Sequence, residues 1–216
     1  MELEERRPIE SVYRLGRRPD AWQPPEWFLA HSDGTFGNRF DDPEGYYRVL
    51  YASSQRVACF VETLARFRPD LTLLAELNAI EGEDDYVALG TIPRDWLEVR
   101  TMGSAEIDGV FADIYGVAWV SQLRRTLAAE ALRLGMKDID LSSLERAEPR
   151  RLTQLASRQA YLLNFAGIFY RSRYGQTLEN WAIFEPFPLH NAISKEFPAD
   201  DPDLLEALGL LGIRLS

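Results

Sequence analysis

Apolar positions along this chain change their period several times, and each change marks an element. Between Gly116 and Leu134, Val120, Leu123, Leu127, Ala131 and Leu134 recur every three or four residues, the stripe of an amphipathic helix, and Gly135 supplies its stop. A second helix is expected from Pro149 to Phe165, with Leu152, Leu155, Ala156 and Leu163 inward and Gly167 beyond its end. A third is expected over Ser54–Phe67, where Val57, Ala58, Val61, Leu64 and Ala65 repeat; Ser53 or Ser54 can cap it and Pro69 marks its exit. Asp201–Leu210 fits a short last helix.

Other stretches are short and rich in β-branched and aromatic residues. Ser11–Gly16, Tyr46–Ala52, Ile168–Arg173 and Trp181–Phe184 read as strands, and so do Leu71–Ala79 and Tyr86–Leu89 on either side of the acidic turn EGEDD. Alternation places Tyr47, Val49 and Tyr51 on one face of their strand, with Arg48 and Leu50 on the other. By the same rule Tyr170 and Ser172 share a face, and Arg171 and Arg173 share the opposite one. The segment Asp33–Gly45, DGTFGNRFDDPEG, is a loop by composition. No GxGxxG or phosphate-loop pattern follows a strand. The expected fold is therefore α+β, with small mixed or antiparallel sheets flanked by helices, as one domain over residues 1–216.

Composition narrows the function classes. The formal net charge of −10 opposes direct binding to a nucleic-acid backbone, which needs clustered Lys and Arg. No apolar run is long enough to span a bilayer, so no membrane association is expected. MELEERRPIE has no apolar segment of the secretory type, and one cysteine, Cys59, cannot form an internal disulfide, so a cytoplasmic setting is expected. Cys59 reads as a packed residue rather than a nucleophile. The only histidines are His31 and His190, with no HExxH, CxxC or GxSxG, so neither a metal site nor a serine-hydrolase triad is expected.

What remains is a set of arginine, tyrosine, glutamate and serine. Arg39 lies in GNRFDDPEG, Tyr51 ends RVLYA, Glu62 lies in ACFVETLARF on the flank of the Val57–Val61–Leu64 stripe, and Ser172 lies in GIFYRSR. Taken singly these are ordinary: loop arginines are solvated, helix glutamates face water, and serines occupy turns. Asp41 and Asp42, beside Arg39, could pair with it and merely brace the loop.

In combination and order, GNRFDDPEGYYRVLYAS, then ACFVETLARF, then AGIFYRSR, preceded by SVYRLG, resemble the RES family, named for its arginine, glutamate and serine. The resemblance runs from about Ser11 to Phe184. It implies an ADP-ribosyltransferase-like fold and an enzyme that degrades NAD⁺ by hydrolysis or phosphorolysis, with NAD⁺ as substrate and inorganic phosphate as an optional co-substrate, and no bound cofactor. It implies a toxin held by an Xre-type helix-turn-helix antitoxin, and leaves a homodimer open. It implies Arg39, Tyr51 and Glu62 as the catalytic core, with Ser172 lining the NAD⁺ pocket. Tyr47 joins Tyr51 as a candidate for substrate binding by strand alternation, and Arg173 is a candidate phosphate ligand provided its strand twists or frays at the end. Two other readings stay open: a protein ADP-ribosyltransferase using the same binding residues, and a catalytically idle nucleotide- or partner-binding module. Leu71–Leu144 carries no site assignment.

Overall fold

The computed structural model describes residues 2–69, 71–72, 90–146 and 148–216. Its strands are β1 (Glu5–Arg6), β2 (Val12–Arg17), β3 (Val49–Ser53), β4 (Thr91–Ile92), β5 (Arg100–Ile107), β6 (Phe111–Asp113), β7 (Gly167–Ser172), β8 (Gly175–Phe184), β9 (Leu189–Lys195) and β10 (Arg214–Leu215). Its helices are α1 (Arg56–Leu64), α2 (Arg94–Glu98), α3 (Val117–Arg133), α4 (Leu141–Arg146), α5 (Arg150–Leu162) and α6 (Pro202–Leu211). The class is α+β, as the periodicity predicts. Eight strands join in one mixed sheet, in the order β1-β6-β7-β8-β3-β2-β5-β9, and β10 pairs with β4 separately. Among the described residues, β6 and β7 are the one pair of the large sheet that runs parallel. Their connection carries α3, α4 and α5, as a parallel crossover requires.

The register sorts the side chains. Tyr51, Ala182 and Ile168 face one another across β3, β8 and β7, and the next row on the same face is Ser53, Asn180 and Tyr170. The opposite face carries Leu50, Ala52, Phe169, Trp181 and Ile183, which join Val12, Ala105, Ile107 and Phe111 in one buried cluster. That cluster unites β5 with β6 and draws on no helix, so the sheet curls around it. The helices pack on the other face in two groups. Trp119 and Leu123 of α3 and Leu152 and Ala156 of α5 cover the β7–β8 side. Phe60, Val61 and Leu64 of α1 and Leu204 and Leu208 of α6 cover the β2–β5 side.

The expected helices over Ser54–Phe67, Gly116–Leu134, Pro149–Phe165 and Asp201–Leu210 correspond to α1, α3, α5 and α6. β3 begins later than expected, at Val49, because the Arg48 amide donates to the Glu185 carboxylate (3.2 Å) rather than to a neighbouring strand. Leu71 and Thr72 are helical, against the expected strand there. The remainder of Leu71–Ala79, and Tyr86–Leu89, lie outside the described residues. No helix among the described residues is long and apolar enough to cross a membrane.

Candidate active site

The loop that carries Arg39 has no regular structure, so its backbone carbonyls need partners. They find them on α5. Thr153 Oγ1 donates to the Arg39 carbonyl (2.7 Å), Gln154 Nε2 to Asn38 (3.1 Å), Ser157 Oγ to Phe40 (2.7 Å) and Arg151 Nη1 to Pro43 (3.3 Å). Arg150 donates to the Gly37 carbonyl. Thr153, Gln154 and Ser157 are all buried, and at helical spacing they form a polar stripe whose use is this loop. From inside, Asp41 Oδ2 accepts the amides of Phe36 (2.8 Å) and Asn38 (2.7 Å). Burial nevertheless pushes the Asp41 carboxyl above its ordinary pKa, those amides pulling it back only in part. Gly37 sits at φ 75°, a conformation that costs glycine little.

So held, the loop aims the Arg39 guanidinium at the end of α4. Its Nη2 donates to the Tyr115 hydroxyl (2.6 Å), to the Glu145 carbonyl (3.1 Å) and to the Leu144 carbonyl. Its Nε is buried without a hydrogen-bond partner. The cation lies 5.1 Å from the Phe40 ring centroid and 5.5 Å from that of Tyr170. Neither neighbouring aspartate pairs with it: Asp41 serves the loop amides, and Asp42 pairs with Arg158 at 3.1 Å. The Tyr51 hydroxyl accepts the Phe40 amide (2.9 Å), tying β3 to the same loop. Burial, and then the charge of Asp41, hold the Tyr51 phenol neutral. Behind it Arg14 enters the gap where β2 and β3 barely pair, donating to the carbonyls of Tyr51 (2.8 Å) and Ala21 (2.7 Å).

Glu62 approaches the sheet from α1. Asn180 Nδ2 donates to Glu62 Oε1 (3.0 Å), and the Ser53 hydroxyl donates to Asn180 Oδ1 (2.5 Å). A carboxylate needs a donor, so the amide orientation follows from the chemistry. Ser53 and Asn180 are 3% and 1% exposed, which makes this relay a rigid support for one oxygen of the carboxylate. Tyr170 completes the row. Its phenol is pushed well above its ordinary pKa by burial first and the Glu62 charge second, while Arg39 pulls the other way. Burial likewise drives Tyr115 up to about 12, with Arg39 opposing and Glu62 contributing. Arg39 and Glu62 thus act on the same two tyrosines with opposite sign.

Beyond Tyr170 along β7, Ser172 is buried and its Oγ accepts the Tyr174 amide (3.0 Å). The β7–β8 register shifts between Arg171 and Ser172, so Arg173 lies past the strand end rather than on a regular face. Both line a pocket of about 380 Å³ with Glu145, Arg146, Glu148 and Arg171. Among the described residues, no group of three His, Cys, Asp or Glu side chains is placed to hold a metal ion.

This geometry lies within the span matched by a known family. The RES domain matches residues 11–202, a span holding Arg39, Tyr51, Glu62 and Ser172. This chain belongs to the RES domain family. No curated protein matches it. A solved structure of the MbcT–MbcA toxin–antitoxin complex of M. tuberculosis contains a similar chain, with 15% identity, a TM-score of 0.48, and 86% of this chain and 83% of that one covered.

Of the residues singled out in this RES domain, the fold brings Arg39, Tyr51 and Glu62 to the face of β3, β8 and β7, with Ser172 and Arg173 at the adjoining pocket. Tyr47 is not brought there. It is 2% exposed, stacked on Tyr161 at 4.1 Å, and its hydroxyl pairs with Ser157 Oγ at 2.8 Å. Alternation does put it on the face of Tyr51, but at the end of that face which α5 covers. Asn180, Ser53, Tyr115 and Tyr170 escape sequence reasoning as site residues. The strand expected at Trp181 stopped one residue short of Asn180, and Tyr115 lies in the unassigned stretch before α3. Cys59 is buried, its Sγ donating to the Tyr13 carbonyl (3.0 Å), and burial raises its pKa to about 12, which leaves the thiol inert.

Proposed function

We propose that this RES domain cleaves the nicotinamide–ribose bond of NAD⁺. The observation that carries the reading is the Glu62 carboxylate, one oxygen fixed by Asn180, facing the neutral tyrosines that Arg39 also reaches. The nicotinamide of NAD⁺ is already cationic. The bond from its ring nitrogen to ribose C1′ breaks with the electron pair passing to that nitrogen, so the leaving group departs neutral and needs no general acid, unlike an ordinary glycoside. Positive charge develops on C1′ and the ring oxygen of ribose. A fixed carboxylate beside them stabilises that charge without reorganising at the moment of reaction. Glu62 Oε1 is committed to Asn180, and Oε2 remains for the ribose. Tyr170 and Tyr115, held neutral, wall the site without adding charge. Arg39 holds the pocket wall through the α4 carbonyls.

Water or inorganic phosphate then attacks C1′, yielding ADP-ribose and a proton, or ADP-ribose 1″-phosphate. In the cell this activity belongs to a cytoplasmic toxin restrained by a helix-turn-helix antitoxin, as the family resemblance implies. The test is release of free nicotinamide from NAD⁺ alone, with and without phosphate, and without any protein acceptor. Glu62→Gln keeps the shape and hydrogen-bonding capacity while removing the charge, and is expected to lower the rate about 10²–10³-fold, the size of one electrostatic transition-state contact. Wild-type release from folded Glu62→Gln overturns the role, and no release from the wild-type protein overturns the function.

A further inference from the structure

Away from Glu62, the sheet carries a like-charge pair that no acid relieves. Arg17 of β2 stands directly opposite Arg100 of β5. The pair continues the Leu15–Met102 row on the face that α1 and α6 cover. Like charges directly opposite one another destabilise a sheet. A third guanidinium, Arg66, comes from the turn Ala65–Phe67 that follows α1. Burial first, then the charges of Arg17 and Arg66, hold Arg100 below its ordinary pKa. Arg100 lies 4.5 Å from the ring centroid of Trp96, which is itself edge-on to Phe67, and the buried Arg100 Nε has no hydrogen-bond partner. Arg66 Nε donates only to the Thr63 carbonyl (3.2 Å). Among the described residues none of the three guanidiniums has a carboxylate partner, whereas the neighbouring Arg18 pairs with Glu196 at 2.7 Å. The chain has 34 acidic residues against 24 basic ones, so carboxylates were available, yet none of those described is placed here. A carboxylate offers two oxygens in one plane. A phosphate offers three or four in different directions, which suits guanidiniums arriving from β2, β5 and the turn after α1.

We propose that Arg17, Arg66 and Arg100 form a second anion site of this chain, which takes a phosphate dianion, either free inorganic phosphate or the phosphate group of an ester. The site is separate from the cleavage site. Tyr13 pairs with Ser53, which pairs in turn with Asn180, and Arg17 lies four residues further along β2, about 13 Å away. It therefore stands whether or not NAD⁺ is the substrate of Glu62.

The test is calorimetric binding and melting temperature on the full chain, with inorganic phosphate and phenyl phosphate each compared with chloride at equal ionic strength. Phosphate is expected to bind the wild-type protein and to raise its melting temperature above the value in chloride. Arg17→Gln, Arg66→Gln and Arg100→Gln are each expected to weaken that binding about tenfold or more, as for a lost charge-assisted hydrogen bond. Arg17→Gln is also expected to melt higher than the wild type in chloride, because it removes one of two opposed charges. Arg125→Gln, on the exposed face of α3, serves as the reference and is expected to do neither. Glu62→Gln is expected to bind phosphate as the wild type does, which separates this site from the cleavage site. Phenyl phosphate binding at least as tightly as the free ion assigns the site to a phosphate ester, and weaker binding assigns it to inorganic phosphate; both retain the site. Phosphate bound no better than chloride, binding unchanged in the three arginine variants, binding lost in Glu62→Gln, or a lower melting temperature of Arg17→Gln in chloride overturns the proposal.

Discussion

Two arginine-bearing regions flank the tyrosine pair, and they are built in opposite ways. On the Arg39 side the loop is held at many points: α5 holds five loop carbonyls, Asp41 holds two amides, and the guanidinium itself lies on the end of α4, with Arg39 Nε and Asp41 Oδ1 left buried without partners. On the Arg171–Arg173 side the guanidiniums lack carboxylate partners and face an open pocket. A site that stabilises developing charge benefits from groups fixed in advance, whereas one that admits a ligand needs donors still free to bond. The difference is what a catalytic role for the first region and a recognition role for the second would require.

The comparison can be broken by substitutions whose effects should fall off from one region to the other. The largest is expected at Arg39. Lysine keeps the charge but presents a compact ammonium that cannot serve Tyr115, Leu144 and Glu145 with the same planar geometry. Nicotinamide release is expected to fall about tenfold or more in Arg39→Lys, and Arg39→Ala is expected to lose about 1–3 kcal/mol of stability as well, since it strips acceptors of their donor. Full activity in Arg39→Lys would show that charge alone suffices there. Ser157→Ala comes next: it removes the donor to the Phe40 carbonyl and the partner of the Tyr47 hydroxyl, both buried. Chemical denaturation is expected to show a loss of about 1–3 kcal/mol, with activity falling because the Arg39 loop loosens.

Asp41 gives a pH-dependent version of the same contrast. Its carboxyl lies above its ordinary value because burial outweighs the amide hydrogen bonds. A carboxyl raised in the folded state contributes stability that is fully present below its unfolded pKa, about 3.9, and is lost as pH rises through the folded value. The melting temperature of Asp41→Asn, compared with wild type, is therefore expected to improve as pH rises from about 4 through the folded value and then to level off; a difference independent of pH would contradict it. The smallest effect is expected at Arg171, where no partner is lost. Arg171→Ala should change stability by less than about 0.5 kcal/mol, and a larger drop would place Arg171 in the scaffold rather than in an open pocket.

Much of the architecture was legible in the sequence. α1, α3, α5 and α6 follow from apolar spacing because each buries one stripe against the sheet, and burial of a stripe is a local, periodic requirement. β5 escaped because it is buried on both faces over much of its length, with Thr101, Met102, Gly103 and Ala105 all inward, so it lacks the alternation of a half-exposed strand. The two-residue strands β1, β4 and β10 are too short for any period to register.

By itself the sequence determined the α+β class, the four long amphipathic helices, the acidic character, and the ordered arginine, tyrosine, glutamate and serine blocks that mark a RES domain. Only the tertiary structure decided which of those side chains share a site. Tyr47 and Tyr51 lie on the same strand face by alternation, yet α5 covers the first while the second takes the Phe40 amide of the Arg39 loop. Asn180 reaches Glu62 across 118 positions of sequence. No local pattern encodes such a contact, because it is the register of β3, β8 and β7 and the seating of α1 on the sheet that bring the groups within hydrogen-bonding distance.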